Sequence, residues 1–65
     1  MDTLDSYIKL DAFLKLKGLV ESGGQAKNVI QGGYVLVNGK VETRRGKKLR
    51  SGDKVAFNDE EFEIE

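Results

Sequence analysis

The chain contains no cysteine, no histidine, no proline and no tryptophan. Without cysteine there is neither a disulfide framework nor a thiolate metal site. Without histidine the commonest general base and the commonest zinc ligand are missing, so a nucleophile–histidine catalytic pair is excluded. Aromatic residues make up only 8%, too few to offer a platform of several exposed stacking rings. No apolar run approaches the roughly 18 residues of a membrane span, and no membrane partner is expected. The opening Met1-Asp2-Thr3-Leu4-Asp5 is acidic, where a secretory signal would be basic. The expected location is cytoplasmic. Net charge is also lacking: eleven Lys and Arg balance eleven Asp and Glu. At face value, that total argues against a protein built to hold a polyanion.

With 65 residues, residues 1–65 are expected to form a single small domain. A core of this size rarely supplies more than about 3–5 kcal/mol, so local folding signals must be strong. Residues 1–8 form an acidic lead-in whose last pair, Tyr7-Ile8, is a candidate end of a short strand. A helix is expected over Lys9 to Lys17. Leu10, Phe13 and Leu14 fall at i, i+3 and i+4, one apolar stripe. Leu16 is expected to widen that stripe, and Asp11 and Lys15 form an i,i+4 pair on the opposite face. Gly18 is placed as the stop. A second helix begins at Ser22. Ser22-Gly23-Gly24-Gln25 has the spacing of a capping box, and Ala26, Val29, Ile30 and Gly33 follow at helical intervals.

Strand signals fill the rest. Tyr34-Val35-Leu36-Val37 is β-rich, and Asn38-Gly39 predicts a tight hairpin with Lys40-Val41-Glu42 returning. Thr43 to Arg50 lacks periodicity and reads as loop with an irregular strand. Ser51-Gly52-Asp53 is a turn, Lys54 to Phe57 a strand and Asn58-Asp59 another turn. Phe62 and Ile64 alternate with Glu61, Glu63 and Glu65, as in a half-exposed last strand. Phe13, Phe57 and Phe62 fall at core-like positions. The order predicts an α+β fold, with two helices packed on a small, mostly antiparallel sheet of three to five short strands.

The zero total conceals two opposed blocks. Residues 40–54 hold seven bases against two acids, or +5, and residues 58–65 hold five acids and no base, or −5. A basic stripe is the electrostatic footprint of nucleic-acid binding. Equally, the acidic block could pair with the basic one and leave only a solvated surface. The spacing favours the former. Arg44-Arg45 and Lys47-Lys48 flank Gly46, so backbone can approach a phosphate with cations on both sides. Lys27 and Gln31 lie one turn apart on the second helix. The carboxylate cluster Asp59-Glu60-Glu61 reads as a solvated turn. No catalytic, metal or cofactor site is expected.

Three segments in order, Lys9-Leu10-Asp11-Ala12-Phe13-Leu14, Ser22-Gly23-Gly24-Gln25-Ala26-Lys27 and Ile30 through Val41, resemble the S4 domain. That is the RNA-binding domain named after the fourth small-subunit ribosomal protein. Leu49 and Ser51-Gly52-Asp53-Lys54-Val55 resemble its closing turn and strand. The resembling core spans about 8–57, with 58–65 as an added acidic hairpin strand. The details of Gly24 to Lys27 and Val41 to Lys48 are most similar to the small stand-alone bacterial, YbcJ/YaaA-like, branch. The resemblance implies an αL (S4-like) fold and a non-catalytic protein that binds structured ribosomal or transfer RNA. It implies an RNA face made of Lys9, Gln25, Lys27, Gln31, Lys40, Arg44, Arg45, Lys47 and Lys48, to which the small Gly23 and the basic Arg50 are added from the residues themselves. Where many members carry Arg or Lys directly after the helix-capping serine, this chain has Gly23. A monomer is expected, with the ribosome or ribosomal proteins as further partners. Two alternatives stand beside this reading. One is an adapter docking through the acidic hairpin. The other is a β-grasp carrier, whose reactive Gly-Gly tail this sequence lacks.

Overall fold

The structure is a computed structural model and describes residues 7–65. The acidic lead-in before Tyr7 lies outside the described residues. Strand β1 (Ile8–Lys9) runs directly into helix α1 (Leu10–Leu16), and a short turn leads to helix α2 (Gly23–Gln31). Strands β2 (Val35–Val37), β3 (Lys40–Val41), β4 (Lys48–Leu49), β5 (Lys54–Phe57) and β6 (Glu60–Glu63) follow. The α+β class is the one that forms. Among the described residues six strands divide into two sheets, a β1–β4 ribbon and a four-stranded sheet in the order β3-β2-β5-β6. Every pairing is antiparallel.

Helix α1 is shorter than its sequence signal. Lys9, expected as its first residue, is instead the extended N-cap, with φ −74° and ψ 149°. Leu10, Phe13 and Leu14 are buried as the stripe requires, whereas Leu16 is 72% exposed. At about 100° per residue Leu16 lies roughly 240° around the helix from Leu10, too far to share its face. Asp11 forms no ion pair with Lys15; its Oδ1 accepts from the N–H of Ala12 at 2.8 Å.

Both helices end in the same way. The N–H of Gly18 donates to Lys15 and that of Leu19 to Leu14; the N–H of Gly33 donates to Ile30 and that of Tyr34 to Val29. These are the paired bonds of a Schellman motif, which needs a left-handed residue just past the helix. Gly18 and Gly33 supply it at φ +73° and +84°. At the start of α2, the Ser22 Oγ accepts from the N–H of Gln25 at 3.1 Å. The Gln25 Oε1 accepts from the N–H of Glu21 at 2.8 Å, one residue upstream of the usual capping-box partner.

Asn38 and Gly39 both take positive φ, 53° and 83°, between the paired residues Val37 and Lys40. That is the type I′ hairpin the sequence predicts. Asn58 and Asp59 make the same kind of turn at φ 58° and 67°, without glycine, between Phe57 and Glu60. A side chain in the left-handed region is unfavourable, and Asn-Gly is preferred in this turn. Asp59→Gly should therefore stabilise the domain by about 0.5–1 kcal/mol. A thermal melt should show a midpoint raised by a few degrees; a lowered midpoint would mean that the Asp59 side chain itself holds the turn.

One core unites the elements. Leu10, Phe13 and Leu14 of α1, Val20 of the connecting turn, Ala26 and Ile30 of α2, Val35 and Val37 of β2, Leu49 of β4 and Val55 of β5 are buried together. Phe57 and Phe62 are half-buried against this cluster. The Phe62 ring meets Phe13 edge-to-face, centroids 6.2 Å apart and planes at 72°. The acidic strand β6 is thereby fastened to α1 through its apolar face.

Candidate nucleic-acid interface

The basic segment owes its position to one apolar residue. Leu49 is the only aliphatic side chain between Thr43 and Arg50 and is fully buried. It pairs with Ile8 across the β1–β4 ribbon, and Lys48 pairs with Lys9. Side chains alternate across a strand. With Ile8 and Leu49 inward, Tyr7, Lys9, Lys48 and Arg50 project from the other face, and all four are exposed. Lys9 and Lys48 are like charges directly opposite one another, a destabilising pair in the absence of a counter-charge.

Backbone bonds hold the loop before β4 against the start of α1. The N–H of Leu10 donates to the carbonyl of Lys47 at 2.9 Å, and that of Asp11 to Arg45 at 3.1 Å. The first N–H groups of a helix have no partner within it. The Lys9 side chain does not cap them; the loop carbonyls do.

Two carboxylates shape the segment from within. Glu42 accepts from the Arg44 N–H and Nε, each at 3.0 Å, and from its Nη2 at 3.3 Å. This clamp orients the Arg44 guanidinium while leaving its side chain 73% exposed. The same side-chain bond holds the Glu42 carboxyl below the usual carboxylate range. Asp53 is lowered as well, first by the N–H of Arg50 at 2.8 Å and then by Asn38 Nδ2 at 3.2 Å. Asn38 Oδ1 also accepts from the N–H of Lys54, tying the hairpin tip to the turn after β4. A carboxylate with a depressed folded pKa contributes stability above its unfolded value and loses it as pH falls through the folded one. Both restraints are therefore intact at neutral pH and are released in acid.

Arg44, Gly46, Lys47, Lys48 and Arg50 line one open depression. A side chain at Gly46 would begin in open space, since nothing lies within 4 Å of where its Cβ would be. Lys9 does not line it but is paired across the ribbon with Lys48, which does. Arg45 is exposed in the same loop, its carbonyl committed to α1. The other sequence-predicted residues lie elsewhere. Gly23 opens α2 in free space; Gln25 is engaged in capping; Lys27 and Gln31 are exposed on α2; Lys40 lies on edge strand β3. Tyr7 is a neighbour that composition hid. Lys48 Nζ lies 4.9 Å from its ring centroid and Arg50 Cζ 5.8 Å. Only the β1–β4 register brings Tyr7 there.

Among the described residues no ion pair joins the acidic block to this surface. Strand β6 occupies one edge of the four-stranded sheet, beside β5. Among the described residues the single ion pair is Arg44–Glu42. A family model described as an S4 domain matches residues 2–65. The chain belongs to the S4 domain family. S4 domains bind RNA, and the match supports RNA as the kind of partner for this chain. The match takes in the acidic strand as well as the helices and the hairpin. A comparison with curated proteins found no match. Among the described residues no helix of this S4 domain is long and apolar enough to cross a membrane.

Proposed function

We propose that this S4 domain is a non-catalytic, cytoplasmic RNA-binding protein that recognises structured ribosomal or transfer RNA through the basic depression. The observation that carries this reading is the convergence of Arg44, Lys47, Lys48 and Arg50 around Gly46, with Glu42 spent on orienting Arg44 and Asp53 on the backbone N–H of Arg50 and on Asn38. Guanidinium and ammonium groups there suit phosphate oxygens as bidentate and point-charge partners respectively. Lys9 facing Lys48 supports the same reading, because a phosphate between them would relieve their repulsion. Kinship with the stand-alone bacterial branch belongs to this proposal and fits it.

The test is binding to purified ribosomal RNA and transfer RNA over a salt series. If five phosphates meet Lys9, Arg44, Lys47, Lys48 and Arg50, log K should fall against log salt with a slope of about −3.5 to −4.5. A folded sample that binds neither RNA at low salt overturns the reading.

A further inference from the structure

The face of the β1–β4 ribbon that carries Lys9, Lys48 and Arg50 also carries Tyr7, which is 46% exposed. It is not among the residues packed against the core, and two cations lie by its ring. An aromatic face attracts cations and also stacks with bases, because every base has a π-face. A nucleotide combines a flat base with an anionic phosphate, so it can engage the ring and its two flanking cations together. Within an uninterrupted duplex the base faces are already stacked on their neighbours, and only the phosphates remain to be met. An unpaired nucleotide offers both.

We infer that Tyr7 stacks on an unpaired base of the bound RNA while Lys48 and Arg50 hold that nucleotide's phosphates. This rests on the RNA reading above and extends it. The protein then prefers a helix interrupted by a bulged nucleotide to the same helix without one. Tyr7 supplies that preference and the cations supply the bulk of the salt-dependent affinity.

Fluorescence anisotropy with two RNA hairpins, identical but for a single bulged nucleotide, tests this at one fixed salt concentration. The intact protein should favour the bulged hairpin by about tenfold or more. Tyr7→Phe should keep that preference, since the ring remains. Tyr7→Ala and Tyr7→Leu should abolish it, while changing affinity for the uninterrupted hairpin by less than about twofold and leaving its salt slope intact. Circular dichroism checks that each variant is folded. Equal weakening on both hairpins overturns the inference, because the ring would then only position Lys48 and Arg50. So does an intact protein that binds both hairpins alike. An intact protein that binds neither RNA at low salt overturns the RNA reading itself, and the role of Tyr7 with it.

Discussion

Leu49→Ala is expected to leave the domain largely unfolded, or to lower its melting midpoint by roughly 10–30 °C. Truncating a buried leucine costs about 2–5 kcal/mol, from lost transfer energy and the cavity left behind. A domain this small has a comparable total margin. Leu49 is fully buried and lies among charged neighbours that cannot take its place in the core. Its loss removes the attachment of β4 and, through the pairing with Ile8, weakens the hold on β1. Circular dichroism followed through a thermal melt measures the effect. Leu49→Met, close in volume, should stay within about 1.5 kcal/mol of the original protein. A Leu49→Ala variant melting within a few degrees of the original would show that the basic segment is fixed by its backbone bonds alone.

The other large effect concerns binding. Replacing Arg44, Lys47, Lys48 and Arg50 together by alanine should reduce the magnitude of the salt slope by about 3. Affinity for ribosomal RNA at low salt should fall by roughly a hundredfold or more. The fold should survive, because Arg44, Lys48 and Arg50 are exposed and Lys47 contributes its carbonyl, which alanine retains. Lys27→Ala and Lys40→Ala provide the contrast, since neither side chain lines the depression. Losses as large from those two would move the RNA track away from the β1–β4 ribbon, onto α2 and the edge of the sheet.

Local chemistry made much of the fold legible. The 3–4 spacing of Leu10, Phe13 and Leu14 marks a helix because neighbours along the chain decide it. Asn38-Gly39 specifies its hairpin because two adjacent residues must both tolerate positive φ. Ser22 caps α2 through a contact only three residues away. The pairing of β1 with β4 was not legible, although Tyr7-Ile8 and the irregular stretch Thr43 to Arg50 each hinted at a strand. Its two-residue strands lie some forty positions apart and give no periodicity to read. Lys48-Leu49 looks like a loop until Ile8 is set beside it. The site inherits the same limit. The cation cluster is visible as a charge run, whereas the place of Tyr7 and the like-charge pair Lys9–Lys48 depend on long-range register. Leu16 shows the opposite error, an apolar residue near the right spacing that the helical angle turns outward.

The loop that caps α1 has a further consequence. Cations on a free tail lose chain entropy when they settle on a polyanion, and affinity falls accordingly. Here Lys47 and Arg45 have their carbonyls anchored on the N–H groups of Leu10 and Asp11 before any ligand arrives. Much of the ordering is thus completed during folding, and association need only restrict the side chains. The same anchorage makes the surface stiff. Lifting the loop to follow an ill-fitting RNA would strip two hydrogen bonds from the start of a seven-residue helix. Discrimination among RNAs then falls to the shape of the nucleic acid, with the protein acting as a rigid gauge against which that shape is measured.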